Sequence, residues 1–285
     1  MKKTSSPSTH VGAVHLTTAN MAQQVLFYTS GIGLKLLRQE EKTAVLGANP
    51  DQTLLTLTWN PAARRQRGTT GLYHMAIRVP DRFELARTLA HLAQAGAEFE
   101  GVADHLVSES FYLKDFDGNG IEIYRDRLPN EWPRDSLGQL KMDTKPLDID
   151  NLIGELMDKP SNWEGIHPKT DMGHVHLYVS TLGEAQRFYT EIIGLELMQK
   201  LDTTAAFLSA NGYHHHVAIN TWVGEGAPAP DADASGLRWF ELVVPNQNAL
   251  DAIKSRAKAA GVKTKKQDGG FLLRDPSGNG ILIRI

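Results

Sequence analysis

The second half of the chain alternates apolar strand patterns with amphipathic helical patterns in a regular order. An alternating strand over 173–179 precedes an amphipathic helix over 182–193, which Gly194 ends. The elements that follow are predicted as strands over 196–200, 205–209, 214–222 and 238–244, a helix over 248–260 and a strand over 280–285. The first half repeats this order. The pattern therefore predicts an α+β fold of four βαβββ modules, with curved and mostly antiparallel sheets.

Matching residues in the two halves indicate an internal duplication. The matches are, in order, Val-His-Leu at 14–16 and 175–177, Phe-Tyr-Thr at 27–29 and 188–190, and Gly-Asn-Gly-Ile at 118–121 and 278–281. Chance does not explain an ordered series of this kind. We therefore predict two domains, 1–135 and 171–285. The linker between them, 136–170, is rich in charge and proline and has a short helix predicted over 149–157.

Composition narrows the class of function. The chain has 285 residues, of which 41% are hydrophobic, so each half can bury a core. The formal net charge of −3 gives no basic face for nucleic acid, and the absence of cysteine excludes disulfides, thiolate ligands and a cysteine nucleophile. No apolar stretch reaches the length of a signal peptide or a membrane span. We expect a cytoplasmic protein without a membrane partner, and the sequence leaves open whether it forms a homo-oligomer.

Three motifs carry a resemblance to a known superfamily. They are Phe-Tyr-Thr at 188–190 with Gly-Leu at 194–195, the turn and strand 117–122, and His-Val-His-Leu at 174–177. On these motifs, and over nearly the whole chain outside the linker, the sequence resembles the vicinal oxygen chelate superfamily. That superfamily includes glyoxalase I, bleomycin and fosfomycin resistance proteins, and extradiol dioxygenases. The run from Asp104 through Ser110-Phe111-Tyr112 to Tyr124 is similar to the catechol-2,3-dioxygenase branch.

The resemblance implies a metal site with two histidines and one glutamate, taken from the first and last strands of paired modules. It assigns these roles to His74 and Glu122 of the second module and His174 of the third. The matching positions of the outer modules hold Trp239, Leu282 and Ala13, which are not ligands. If the second module pairs with the third, as in monomeric two-domain glyoxalases, the chain holds one complete site. Typical two-domain extradiol enzymes instead keep the whole site in the second half. Without a metal, Glu122 would be a strand-end carboxylate that faces solvent or pairs with Arg125.

Three consecutive histidines occupy the fourth position of the site. On a strand, His215 faces opposite to His214 and His216. The pattern His-x-Val-Ala-Ile at 215–219 resembles the acid–base strand of extradiol enzymes and selects His215. The apolar residues that share the parity of His215 favour His216 instead, since large apolar side chains usually face the helices. We predict His215 as the catalytic residue, because a bulge can reset the parity.

Two further residues resemble substrate-side groups of extradiol enzymes. Tyr112 lies ten residues before Glu122 in a Ser-Phe-Tyr context, and His105 precedes it. Both are predicted to hold substrate oxygens, although an ordinary strand aromatic would explain Tyr112 equally. The paired helix aromatics at 27–28 and 188–189 are assigned to core packing.

The donor set favours one chemistry over others. Two histidines and one carboxylate with free positions suit Fe(II) and O₂, although Mn, Zn or Ni also accept such donors. The resemblance therefore implies an Fe(II)-dependent extradiol dioxygenase that opens the ring of catechol or a substituted catechol beside its diol. One alternative is a glyoxalase-type isomerase or lyase with Zn or Ni, in which His215 or His216 is a fourth ligand. Another is a metal-free small-molecule-binding protein of the resistance type.

Overall fold

The computed structural model describes residues 8–157, 159 and 162–285 and shows four βαβββ modules. The first module consists of β1 (His10–Thr18), α1 (Met21–Leu26), β2 (Lys35–Gln39), β3 (Thr43–Gly47) and β4 (Leu55–Trp59). The second consists of β5 (Gly71–Arg78), α2 (Arg82–Gln94), β6 (Phe99–Asp104), β7 (Ser108–Lys114) and β8 (Gly120–Asp126). The third consists of β9 (Asp171–Tyr178), α4 (Leu182–Arg187), β10 (Glu196–Leu201), β11 (Ala205–Ser209) and β12 (Val217–Asn220). The fourth consists of β13 (Gly236–Val243), α5 (Gln247–Ala259), β14 (Lys265–Gln267), β15 (Gly270–Arg274) and β16 (Gly280–Arg284). The helix between the halves is α3 (Ile149–Ile153).

The modules pair across the two halves of the chain. One eight-stranded sheet has the order β14-β15-β16-β13-β1-β4-β3-β2, and the other has the order β10-β11-β12-β9-β5-β8-β7-β6. The central contacts, β1 with β13 and β5 with β9, are antiparallel. Within each module the first and last strands are parallel, and the remaining neighbours are antiparallel. The predicted α+β fold, the four modules and the pairing of the second module with the third are confirmed.

Successive side chains of β8 point alternately to the hydrophobic core and to the opposite face of the sheet. Ile121 and Ile123 are fully buried in the hydrophobic core, while Glu122 between them points to the opposite face of the sheet. One core cluster contains residues of all four modules, so the halves share their apolar interior. Four of the five α-helices in the described part of the chain begin at a side-chain cap; at the start of α2, for example, the Asp81 side chain accepts from the backbone N–H of Glu84 at 2.9 Å. Within the described residues, no helix is long and apolar enough to cross a membrane.

Three predicted elements differ from the structure. The predicted helix over 182–193 is α4 followed by a wider π-helical turn, Phe188–Ile193, which ends at Gly194 with a left-handed φ of 91°. The linker helix stops at Ile153 and continues as a 3₁₀ turn, Gly154–Leu156. The strand predicted over 214–222 starts only at Val217. A regular strand would place the adjacent rings of His214 and His215 on opposite faces, whereas their Nδ1 atoms lie 2.8 Å apart.

Candidate metal centre

Three side chains converge on one face of the sheet that the second and third modules share. His74 lies on β5, Glu122 on β8 and His174 on β9, and β5 lies between the other two strands. Ala76 is in register with both Glu122 and His174, and its small side chain leaves space for them to approach each other. The Nε2 atoms of His74 and His174 each lie 3.1 Å from Oε2 of Glu122. All three residues are buried.

The protonation states of this group suit a bound cation. Burial lowers the pKa of His174 to about 4, so its imidazole is neutral at pH 7. Burial opposes ionisation of Glu122, but the adjacent nitrogens of His174 and His74 hold the pKa of its carboxyl well below the ordinary value. Neutral imidazoles and an ionised carboxylate are the forms that bind metal.

Unsatisfied donor atoms also fit a metal. Nε2 of His74 lies 3.1 Å from Oε2 of Glu122 but outside hydrogen-bond geometry, so it is buried without a hydrogen-bond partner among the described residues. One ligand atom from each of the three residues lies within 4.8 Å of the others, and no other His, Asp or Glu trio within the described ranges does so. A divalent cation would satisfy the orphaned imidazole nitrogen and the buried carboxylate together. His74, His174 and Glu122 could therefore hold a metal ion.

The corresponding place in the other sheet lacks this donor set. Trp239 stands where His74 stands in the repeat, and its ring packs against that of His15 with centroids 3.9 Å apart. The nearby Glu241 is engaged elsewhere: Oε2 accepts from the backbone N–H of Ala13 at 3.2 Å and lies 3.3 Å from Nε of Arg284. Of the two sheets that the duplication produces, one therefore has the ligand set and the other lacks it.

A cavity of about 700 Å³ opens beside the trio. All predicted site residues line it, namely His74, His105, Tyr112, Glu122, His174 and His215. Its other walls include four aromatic side chains, Tyr73, Tyr178, Phe207 and Trp222. Tyr73 lies against His74 with ring centroids 4.9 Å apart and meets Trp222 edge-on at 5.4 Å. The arrangement offers flat apolar surfaces next to the candidate metal ligands.

Tyr112 and His105 form a hydrogen-bonded pair at the edge of the trio. The backbone carbonyl of Asp143 accepts from Nδ1 of His105 at 3.1 Å, so a neutral His105 has its lone pair on Nε2. The Tyr112 hydroxyl, 2.6 Å away, then donates to that nitrogen, and its oxygen accepts from Ser110 Oγ at 3.1 Å. Burial, together with the charge of Glu122, raises the pKa of Tyr112 well above its ordinary value. The phenol therefore stays protonated.

The histidine run directs its three rings to different places. His215 lines the cavity, with its ring centroid 4.0 Å from that of His174. His216 faces away, and its Nδ1 lies 2.9 Å from Ser209 Oγ and 3.2 Å from the Ala210 nitrogen. His214 is fully buried and contacts Asp126. Of the two candidates that the sequence left open, the structure brings His215 to the cavity and turns His216 from it.

Sequence reasoning missed the layer behind the cavity. Tyr124 and Asp126 follow Glu122 at alternate positions of β8, so they share its face of the sheet. The Tyr124 hydroxyl lies 2.8 Å from that of Tyr213, which donates to Asp126 at 2.9 Å. The alternation of polar side chains along β8 was the available signal. The aromatic wall had no such signal, because its members come from distant segments.

Comparison with known proteins agrees with this architecture. The model of the Glyoxalase/Bleomycin resistance protein/Dioxygenase superfamily matches residues 9–123 and 171–283, and the chain belongs to that superfamily. The chain is 40% identical over 271 residues to a catechol-2,3-dioxygenase of Bacillus subtilis (strain 168), and the match covers 94% of each chain. The resemblance to the catechol-2,3-dioxygenase branch is thereby confirmed.

Solved structures share the fold at low sequence identity. A putative dioxygenase from Bacillus subtilis subsp. subtilis str. 168 superposes with a TM-score of 0.67 at 13% identity, over 97% of this chain and 86% of that one. Glyoxalase I from Zea mays gives a TM-score of 0.60 at 18% identity, over 97% of this chain and 92% of that one. These two likenesses describe the fold alone.

Proposed function

We propose that the protein is an Fe(II)-dependent extradiol dioxygenase that opens the ring of catechol or a substituted catechol. The observation that carries the proposal is the placement of His74, Glu122 and His174 on one wall of a cavity that also contains Tyr112 and His215. The relative named catechol-2,3-dioxygenase supports the reaction class. Catechol and O₂ together supply every atom of a muconic semialdehyde, so no other reductant is required.

His74, His174 and Glu122 would hold the iron. A set of two histidines and one carboxylate leaves positions free for both diol oxygens and for O₂. The chemistry that a bound iron would supply is the activation of O₂ by electrons from the diol ring. The ionised Glu122 offsets part of the charge of the cation, and the neutral imidazoles bind through their lone pairs.

The aromatic wall would hold the ring of the substrate. Tyr73 presents its ring close to His74 and Trp222 contacts Tyr73, so a planar diol at His74 would lie against apolar ring surfaces. A cavity of about 700 Å³ is large for an unsubstituted catechol. Pockets for drug-sized ligands span roughly 300–1,000 Å³, so the remaining space suits a ring substituent.

Three side chains would orient the substrate and transfer its protons. Tyr112 receives a hydrogen bond from Ser110 and gives one to His105, so its oxygen keeps a lone pair for a substrate hydroxyl. His215, on the wall that the third module provides, would accept a proton from the diol and return one to the opening ring. Burial lowers the pKa of His215 well below its ordinary value, which keeps the imidazole neutral before the substrate arrives.

The test uses full-length protein purified without oxygen and loaded with Fe(II), Mn(II), Zn(II) or Ni(II) in parallel. We expect the Fe(II) form to consume one O₂ per catechol and to produce a yellow ring-fission product. Absence of O₂ uptake with catechol and its alkyl derivatives in all metal forms would overturn the proposal. Turnover of a glutathione hemithioacetal by the Zn or Ni form would instead assign a glyoxalase-type isomerase, with His215 as a fourth ligand. Tight binding of a small aromatic without metal or turnover would assign a binding protein.

A further inference from the structure

A chain of hydrogen bonds leads from the cavity into the protein behind His215. Nδ1 of His215 lies 2.8 Å from Nδ1 of His214, and Nε2 of His214 lies 2.8 Å from Oδ1 of Asp126. The other oxygen of Asp126 accepts from Nη1 of Arg78 and from the Tyr213 hydroxyl, both at 2.9 Å. His214 is fully buried, so water does not compete for its contacts with His215 and Asp126.

Asp126 determines which nitrogen of His214 carries the proton. Burial would raise the pKa of the Asp126 carboxyl, but the hydrogen bonds that it accepts from His214 and Arg78, together with the charge of Arg78, lower it, so the group is ionised. An ionised carboxylate only accepts, so Nε2 of His214 must donate to it. A neutral His214 then has no proton on Nδ1. Its remaining lone pair faces His215.

His214 in turn determines the tautomer of His215. Two lone pairs cannot face each other at 2.8 Å, so Nδ1 of His215 carries a proton and donates it to Nδ1 of His214. The lone pair of a neutral His215 is then on Nε2. This nitrogen is the one left for a ligand on a ring that lines the cavity.

We propose that Asp126, acting through His214, is a positioning residue that holds His215 with a proton on Nδ1 and a lone pair on Nε2 toward the cavity. The catalytic consequence rests on the proposed function, since this tautomer is the one that can accept a proton from a diol. The tautomer itself does not depend on that function. The contact between the Nδ1 atoms of His214 and His215 also accounts for the late start of β12, because it requires these two neighbouring rings to lie on the same side of the backbone.

The substitution Asp126→Asn reverses the chain of donors. Arg78 and Tyr213 are donors, so the amide oxygen at position 126 turns toward them and the amide nitrogen faces His214. His214 must then accept on Nε2 and carry its proton on Nδ1. His215 accepts from it and carries its own proton on Nε2, toward the cavity. A variant without the carboxylate thus retains the shape but presents the wrong tautomer.

The direct measurement is ¹⁵N–¹H correlation NMR of the histidine rings in full-length protein, in both metal-free and Zn(II)-loaded states. His215→Gln identifies the His215 signals by their loss. We expect Nδ1 of His215 to be protonated in the native chain and Nε2 to be protonated in Asp126→Asn. A proton on Nε2 of His215 in the native chain, including the case of a doubly protonated His214, would overturn the proposal. So would an unchanged tautomer in Asp126→Asn.

The functional measurement separates positioning from structure. In the Fe(II) form, Asp126→Asn should lower kcat about 10²–10⁴-fold, the range for loss of a correctly protonated acid–base group, with metal content and KM within about twofold. Asp126→Glu should recover part of the rate. The matched control is Asp171→Asn, which removes the other carboxylate on Arg78, 2.7 Å from Nη2, without contacting His214. An equal loss of kcat in Asp171→Asn would indicate a merely structural effect.

If Asp126→Asn does not fold, the proposal is tested by the tautomer of His215 in the native chain and by the kcat of Asp126→Glu. If no metal-loaded form of the protein oxidises catechol, the proposed function is wrong. The NMR measurement still shows whether the proposed tautomer of His215 is correct.

Discussion

Gly173 has no side chain because the hydroxyl of Tyr124 occupies the place where one would stand. A Cβ at Gly173 would overlap the Tyr124 hydroxyl oxygen and ring. That hydroxyl contacts Tyr213 at 2.8 Å, and Gly173 directly precedes the candidate ligand His174 on β9. The contact that the Tyr124 side chain of β8 makes with β9, across the intervening β5, therefore depends on the absence of a side chain at Gly173.

Substitution Gly173→Ala tests this packing. We expect the added methyl group to displace Tyr124 or His174, to cost about 1–3 kcal/mol of stability and to weaken metal binding about tenfold. Thermal unfolding and competition with a chelator measure the two effects. Gly101→Ala is the control, since a Cβ at Gly101 on β6 meets nothing within 4 Å. Unchanged metal affinity and stability in Gly173→Ala would contradict the prediction.

Substitution Glu122→Gln should abolish metal binding and turnover while the fold persists. The amide removes the charge that offsets the cation, whereas the core on the other face of β8 does not contain this side chain. Metal content after dialysis and circular dichroism report the two properties. Glu100→Gln is the matched control, because Glu100 lines the same cavity but pairs with Lys114. If Glu122→Gln retained the metal, another group would have to be the ligand.

The metal content should be one ion per chain. One sheet presents His74, Glu122 and His174 together, and the equivalent place in the other sheet has Trp239 and no matching donors. Elemental analysis of the loaded protein measures the ratio. We expect His74→Ala and His174→Ala each to bring it to zero, and His15→Gln in the other sheet to leave it unchanged. Two tightly bound ions per native chain would refute the single-site prediction.

Substitution Tyr112→Phe should lower kcat with catechol about 10- to 100-fold and leave metal content unchanged. The phenol oxygen is predicted to orient a substrate hydroxyl, and it makes no bond to a metal in the proposed scheme. Steady-state kinetics under air gives the effect. Tyr178→Phe, in the aromatic wall of the same cavity, keeps its ring, provides the comparison and should retain most of the rate. Equal kinetics for both variants would remove Tyr112 from the mechanism.

The unfolding free energy of the metal-free protein should fall as the pH is lowered from about 6.5 to about 4. Burial, and then the charge of Arg238, lowers the pKa of His15 to about 4, and burial lowers that of His216 to about 3. Their pKa in the unfolded chain is near 6.5, so unfolding takes up protons in this window and the stabilisation, complete above pH 6.5, is lost progressively below it. Each group contributes on the order of 1–3 kcal/mol.

Denaturant unfolding at a series of pH values measures this slope. His15→Gln should reduce the number of protons taken up on unfolding near pH 5 by close to one. The same substitution at the exposed His10 should leave the slope unchanged. An identical slope in native protein and His15→Gln would show that His15 does not remain neutral in the folded chain.

Local pattern determined the elements and the repeat. Alternation around Glu122 and the periodicity of the helices depend on neighbours along the chain, so they can be predicted from the sequence. The resemblance to the superfamily assigned the ligand roles to His74, Glu122 and His174, and comparison of repeat positions supported them, because Trp239, Leu282 and Ala13 occupy the matching places in the outer modules. The two-domain pattern also allowed a choice of module pairing, but it did not force one.

Tertiary structure decided what the neighbours along the chain could not. The pairing of β5 with β9 brings His74 and His174, from the two halves of the chain, to 3.1 Å from Oε2 of Glu122. This pairing depends on the hydrophobic core that both halves share. The choice between His215 and His216 depended on the irregular backbone before β12, where His214 contacts Asp126 and the strand starts only at Val217. Parity along a strand predicts the direction of a side chain only while the strand is regular. Where the strand is irregular, the direction of a side chain depends on contacts with other segments, and these form only when the chain is folded.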